Sequence, residues 1–263
     1  ELLTRDHVAR CIVREVKEGR GSPHGGVFLD IASRRTAADI KKKLPSMYHQ
    51  FKELGGIDIT KEPMEVGPTA HYIMGGVRVD AETQMATLPG LFAAGEAAGG
   101  LHGANRLGGN SLSDLLVFGR RAGLGAANYA KGIKAIPTTD EAQIERVVRE
   151  MYEPFERPAA ENAFTVTSDL QTTMEANVGI ARVQNELEKA LTDIEALKDR
   201  AKKVSVVGDC RYNPGWHQVL DLNNLLICAE ALTMAALSRK ESRGGHMRID
   251  FPDSVAEEGK WNN

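Results

Sequence analysis

Two side chains in this sequence could grip a dicarboxylate. His71 lies in Pro68-Thr69-Ala70-His71-Tyr72-Ile73-Met74-Gly75-Gly76, and Arg106 lies in His102-Gly103-Ala104-Asn105-Arg106-Leu107-Gly108-Gly109-Asn110-Ser111. A guanidinium fork meets a carboxylate with two parallel hydrogen bonds, and an imidazole can donate to a second carboxylate. Glycines beside them let backbone approach a flat ring or a small anion where a Cβ would clash. A solvated arginine has no need of small residues on both sides. Taken singly, each still has an ordinary reading: His71 as a turn or core histidine, Arg106 as a surface or capping arginine.

The elements around these residues carry further chemistry. The spacing from Ser111 to Ala130 predicts an amphipathic helix, capped by Asn110 or Ser111 with Asp114 three residues beyond Ser111. Backbone N–H groups of Ser111 and Leu112 would then point out of a positive helix end, a natural seat for phosphate or an electron-rich ring carbonyl. Leu91 to Glu96 reads as a buried strand running into a turn. A carboxylate at such a strand end, Glu96, can accept hydrogen bonds from sugar hydroxyls; the ordinary reading is an exposed turn glutamate.

Elsewhere, helical spacing is predicted from Asp6 to Glu18, ended by Gly19-Arg20-Gly21. Val27 to Ile31 suits a short strand, and Ala37 to Leu44 and Pro45 to Leu54 suit two short helices. Met64 to Arg78 is extended and broken by glycines. Past Lys131-Gly132 the texture becomes helical: a capping box of Thr138 and Glu141 opens a helix to about Tyr152. A long amphipathic helix from Leu170 to Lys203 follows, then an apolar one from Gln218 to Lys240. The tail from Glu241 to Asn263 reads as irregular.

Bulk properties narrow the function. With 42% hydrophobic and 26% charged residues and a net charge of -3, the 263-residue chain has no electrostatic footprint for nucleic acid or an anionic membrane. The richest apolar stretch, Leu225 to Leu237, is interrupted by Glu230, so no direct membrane span is expected. Cys11, Cys210 and Cys228 form no ligand pattern; no metal site is expected, and buried small hydrophobes are the expected role.

In series, these segments resemble the flavoprotein subunit of succinate dehydrogenase and fumarate reductase. Gly90-Leu91-Phe92-Ala93-Ala94-Gly95-Glu96 is similar to the family's second flavin motif, and His102 to Leu112 to its substrate-arginine and flavin-ring segment. Thr4-Arg5-Asp6-His7-Val8-Ala9-Arg10 resembles the segment of the proton-shuttling arginine. Glu241 to Pro252 resembles the closing signature. The amino-terminal dinucleotide motif, the histidine that commonly carries FAD and the upstream substrate contacts do not appear. The chain therefore reads as the C-terminal portion of a longer one.

The resemblance implies an α/β plus all-α fold. Residues 1–72 would belong to the capping domain and 73–130 to the C-terminal part of a doubly wound FAD-binding domain, with 131–263 a helical bundle domain and tail. It implies FAD as hydride acceptor, held by Glu96, Asn110, Ser111 and Leu112, with succinate bound by His71 and Arg106 and its proton taken by Arg5. It also implies membrane anchor subunits and an iron–sulfur subunit as partners. The chain would lie at the cytoplasmic face of the inner membrane, or on the matrix side in a mitochondrion. Gly108-Gly109-Asn110-Ser111-Leu112 and His71-Tyr72-Ile73-Met74 favour this reading over L-aspartate oxidase. Fumarate reductase and a non-catalytic docking module are the further alternatives.

Overall fold

The computed structural model describes residues 5–135 and 138–252; the opening Glu1 to Thr4 and the tail from Asp253 to Asn263 lie outside the described residues. The chain divides into two compact units, one ending at His71 and one beginning at Tyr72.

In the first unit, helix α1 spans Arg5–Lys17 and strand β1 Val27–Leu29, followed by α2 (Ala37–Lys43), α3 (Pro45–Gly55) and strand β2 (Met64–Val66). The two strands pair antiparallel, Val27 opposite Val66 and Leu29 opposite Met64. Thr36 caps α2 by accepting from Asp39 N–H. Pro45 supplies the first turn of α3, and Gly56, at φ 68°, ends it in the left-handed region. Ile40, Ile59 and Met64 form a small core, with Tyr48, Phe51 and Val66 packed around it.

The second unit begins with a glycine-rich segment and runs into α4 (Asn110–Gly132), then α5 (Glu141–Glu156), α6 (Ala163–Val178), β3 (Ala181–Arg182), α7 (Gln184–Ala201), α8 (Pro214–Ser238) and β4 (Met247–Arg248). Helices α6, α7 and α8 pack on one another around Val166, Leu170, Ile194, Leu197, Leu222 and Leu226. Each such side chain contributes about 1.5–3 kcal/mol when fully buried. Arg200 reaches Glu161 at 2.8 Å and Asp169 at 2.7 Å across the bundle edge. The fold is thus mixed helix and sheet with a helical C-terminal region, as the sequence predicts.

Several local expectations are corrected. The single helix predicted from Leu170 to Lys203 is two, because the chain turns at Gly179. A Cβ there would sit 2.7 Å from Glu175 O, and the Arg182 guanidinium donates back to Val178 O and Gly179 O. Asp140, not Thr138, caps α5, accepting from Ala142 and Gln143 N–H. The tail is not wholly irregular: β4 pairs in parallel with β3. Cys11 and Cys228 are exposed and Cys210 half-buried: α1 buries none of its residues, and Cys228 falls off the buried stripe of α8. Helix α8 is long and apolar enough to cross a membrane by length and composition alone. Yet Val219, Leu222, Leu226, Ala229, Thr233 and Ala236 are buried at helical spacing against α6 and α7, which makes it a core helix of the bundle.

Candidate functional site

The glycine-rich segment is folded by backbone pairing. Val77 N–H donates to Ala97 O at 2.8 Å and Gly99 N–H to Val77 O at 3.0 Å, which zips the stretch after His71 to the stretch after Glu96. At Gly76, φ is +153° and a Cβ would lie 2.3 Å from Ala97 O; at Gly99 it would lie 3.0 Å from Gly76 N. These two glycines therefore serve close approach of the chain to itself. Gly100, Gly103 and Gly109 also have positive φ, but a Cβ on any of them would meet open space. Those three leave bare backbone facing outward around Arg106.

The segment from Leu91 is not a strand. Met85 and Phe92 form one antiparallel bridge, and the chain then enters a 3₁₀ turn at Gly95–Ala97. The turn presents Glu96, whose exposed carboxylate accepts from Ile73 N–H at 2.8 Å. One carboxylate oxygen is thus anchored, and the group keeps acceptor capacity for hydroxyl donors.

Helix α4 begins at Asn110, with Gly109 as its N-cap at φ 85° and no side-chain cap. The expected caps are therefore absent. Asn110 N–H donates to Leu107 O at 3.2 Å, and Leu112 N–H turns back to Gly109 O at 3.1 Å. Asp114 does not cap the helix. It is buried, and one carboxylate oxygen lies 3.4 Å from the Tyr72 hydroxyl and 3.3 Å from His102 Nε2. Asn110 and Leu112 are exposed and Ser111 half-buried.

Arg106 is half-buried. Its Cζ sits 4.5 Å from the Tyr72 ring centroid, and Nη1 donates to Leu107 O at 3.2 Å. The closing signature packs on the same loop: Gly245 N–H donates to Ala104 O at 2.9 Å, and a Cβ on Gly244 would strike that oxygen at 2.6 Å. Burial, followed by the Asp114 carboxylate, pushes the Tyr72 hydroxyl up from its ordinary range and keeps it a neutral donor. Arg5, the exposed first residue of α1, and His71, also exposed, belong to the first unit, while Glu96, Arg106, Asn110, Ser111 and Leu112 belong to the second. Sequence reasoning missed Tyr72, His102 and Asp114. Asp114 looked like part of a capping box, and no spacing rule links residues 42 apart.

The arrangement suits a flavin nucleotide. Bare backbone at Gly100, Gly103 and Gly109, an anchored carboxylate acceptor at Glu96 and the positive end of α4 are what its ring, hydroxyls and electron-rich carbonyls require. That combination is compatible with a flavoprotein of the FAD-binding class.

Comparison with known proteins agrees. Residues 1–112 match the FAD binding domain family, and residues 167–262 match the fumarate reductase flavoprotein C-terminal family. The chain thus carries matches to both domains, and its relatives are named succinate dehydrogenase and fumarate reductase flavoprotein subunits. It is 44% identical over 262 residues to a Methanothermobacter marburgensis protein named as a subunit of fumarate reductase (CoM/CoB), covering 98% of this chain and 46% of that one. It is 34% identical over 278 residues to the Rickettsia felis succinate dehydrogenase flavoprotein subunit, covering 99% of this chain and 46% of the relative. Among solved structures, Mycobacterium smegmatis Sdh1 in complex with UQ1 superposes with a TM-score of 0.89 at 56% identity, over 97% of this chain and 43% of that one. The chain spans less than half the length of these relatives.

Proposed function

We propose that this chain is the part of a flavoprotein subunit that carries a dicarboxylate grip and one side of the FAD site, in an enzyme that oxidises succinate to fumarate. The observation that carries the reading is Arg106, half-buried over Tyr72 in a loop whose neighbouring glycines leave bare backbone. When bound, FAD supplies a two-electron acceptor. Glu96 accepts from cofactor hydroxyls, and the Asn110-Ser111-Leu112 helix end favours negative charge on the ring side. Arg106 and His71 hold the two carboxylates and fix which C–H bonds are presented, a positioning effect. Arg5 takes the proton from the substrate carbon. An arginine in water stays protonated and is a poor base, so this step needs a desolvated site with an onward carboxylate relay.

Electrons would leave to an iron–sulfur subunit, and anchor subunits would hold the assembly at the inner membrane, with this chain peripheral on the cytoplasmic or matrix side. The Methanothermobacter relative, named for fumarate reductase (CoM/CoB), favours the reverse reaction, fumarate reduction, as the second reading. The same residues serve both directions, since the path is one path.

Two substitutions in the full-length protein test the proposal. Arg106→Lys keeps charge and loses the planar fork. Succinate affinity and succinate-dependent dye reduction should each fall tenfold or more, the equivalent of about 1.5–3 kcal/mol for a charged hydrogen bond. Arg5→Gln should abolish turnover and leave flavin content intact. Near-unchanged kinetics for the lysine variant would remove Arg106 from the site, and a substantial rate for Arg5→Gln across pH would end the shuttle assignment.

A further inference from the structure

We propose that Tyr72, held from behind by Asp114 and braced by His102, is a positioning residue that sets the plane of the Arg106 guanidinium for its carboxylate. This role rests on the reading of Arg106 as a dicarboxylate ligand.

Asp114, in the first turns of α4, is only 5% exposed. A buried carboxylate is costly without partners, so the groups it meets are specified by the fold and not incidental. Two side chains from separate segments converge on its Oδ2: the Tyr72 hydroxyl at 3.4 Å and His102 Nε2 at 3.3 Å. The two rings then meet edge to face, with centroids 5.5 Å apart and planes at 74°. Tyr72 is thereby held at its tip by a carboxylate and along its side by an imidazole.

The exposed consequence of this buried arrangement is the Tyr72 face. Arg106 stacks on it, Cζ 4.5 Å from the centroid, within the range of a cation–π contact. Stacking uses the face of the guanidinium and leaves its N–H groups in the plane, where hydrogen bonds to a planar carboxylate form. The ring therefore restricts the tilt of the fork without competing for its donors. Preorganisation of this kind lowers the ordering cost that a ligand would otherwise bear. Because Asp114 is on α4, the same contact sets Arg106 in register with the helix end at Asn110 to Leu112.

The test uses the full-length holoenzyme and malonate, a dicarboxylate that cannot be dehydrogenated, with affinity read from the flavin difference spectrum. Tyr72→Leu removes the ring and should weaken malonate binding and raise the succinate KM about fivefold or more, with flavin content unchanged. Tyr72→Phe keeps the stacking face and loses the Asp114 hydrogen bond, so malonate binding should weaken about threefold, less than in Tyr72→Leu. Asp114→Asn, isosteric and less apt to disturb folding, should weaken malonate binding about threefold by loosening the ring. In the Tyr72→Leu, Arg106→Lys double variant the losses should not add, because one contact joins the two residues.

If Arg106→Lys weakens malonate binding tenfold while Tyr72→Leu and Asp114→Asn leave it within twofold, the positioning role is overturned and the dicarboxylate reading stands. If Arg106→Lys leaves malonate binding unchanged, the dicarboxylate reading fails, and the positioning role fails with it.

Discussion

Arg248 and Asp250 face each other through two hydrogen bonds, Nε to Oδ1 at 2.8 Å and Nη2 to Oδ2 at 2.7 Å, with the guanidinium wholly buried. The remaining guanidinium nitrogen, Nη1, caps the end of α8, donating to Ala236 O, Leu237 O and Arg239 O at 3.1–3.2 Å. Asp250 in turn accepts from Gln184 N–H at the start of α7. One ion pair thus meets the C-terminal end of α8 and the N-terminal end of α7, which has no side-chain cap, and it joins the closing segment to the bundle.

Removing either partner should therefore be costly. Asp250→Ala leaves a buried guanidinium without its carboxylate, and Arg248→Ala takes the Nη1 donor from the Ala236 and Leu237 carbonyls. Each should destabilise the helical region by about 3–5 kcal/mol. Arg248→Lys should recover only part of this, since an ammonium cannot make the planar pair and cap the carbonyls together. Urea unfolding followed by circular dichroism gives the measurement; a loss below about 1 kcal/mol for Asp250→Ala would contradict the clasp.

His246 introduces a pH dependence beside that clasp. Its Nδ1 lies 3.0 Å from Arg182 Nη1 and its Nε2 3.3 Å from Arg239 O, so the neutral ring accepts from one and donates to the other. Burial first, then the charge of Arg239, pushes the imidazole down to about 4, with nearby Glu241 acting in the opposite sense. From the ordinary pKa of 6.5 down to about 4, the unfolded chain takes up a proton that the native state refuses. Stability should thus be complete above pH 6.5 and decline as pH falls through that window, by at most about 2 kcal/mol after solvent screening. His246→Gln should flatten this part of the profile, as urea midpoints at pH 7 and 4.5 will report.

Much of this architecture is legible in the sequence, and the losses have physical causes. Helices α1, α2, α3 and α8 are readable because periodicity and Gly or Pro punctuation agree. The break at Gly179 is not, since one glycine inside a strong apolar stripe is outvoted by its neighbours. The 3₁₀ turn at Glu96 is hidden because a short apolar run reads equally as strand. The residues expected to touch ligand lie in recognisable motifs. Their supports do not: Asp114 meets Tyr72 and His102 through tertiary contact alone, and the Arg248 clasp falls in a tail without periodicity.

Helix α4 offers an internal comparison of glycines. A Cβ on Gly125 would lie 2.3 Å from Thr83 O and 3.1 Å from the Phe92 ring, whereas one on Gly123 meets nothing within 4 Å. Gly125→Ala should force the 80–84 turn off the helix and destabilise by about 1–3 kcal/mol. Gly123→Ala should stabilise by up to about 1 kcal/mol, because alanine loses less backbone entropy in a helix. Thermal midpoints of the two variants should move in opposite directions; equal shifts would refute the packing read from Gly125.

Flavin binding by the 263-residue chain alone should be poor. Helix α4 carries the end proposed to face the cofactor, yet Leu112 is 67% exposed and Leu116 77%, with Leu115 and Val117 also exposed. A contiguous apolar face of that kind favours self-association or a covering surface. FAD binding also needs contacts to its nucleotide half, and the residues proposed to hold it, Glu96 and Asn110 to Leu112, would meet only its ring and hydroxyl side. The isolated chain should therefore bind a hydrophobic reporter dye strongly, take up FAD weakly or not at all, and fail to reduce a redox dye with succinate. Stoichiometric flavin on the purified chain, with succinate-dependent dye reduction, would falsify this. Polar substitution of Leu116 alone should lower dye binding and aggregation while leaving the helical signal of the bundle unchanged, because Leu116 lies outside the α6–α7–α8 core.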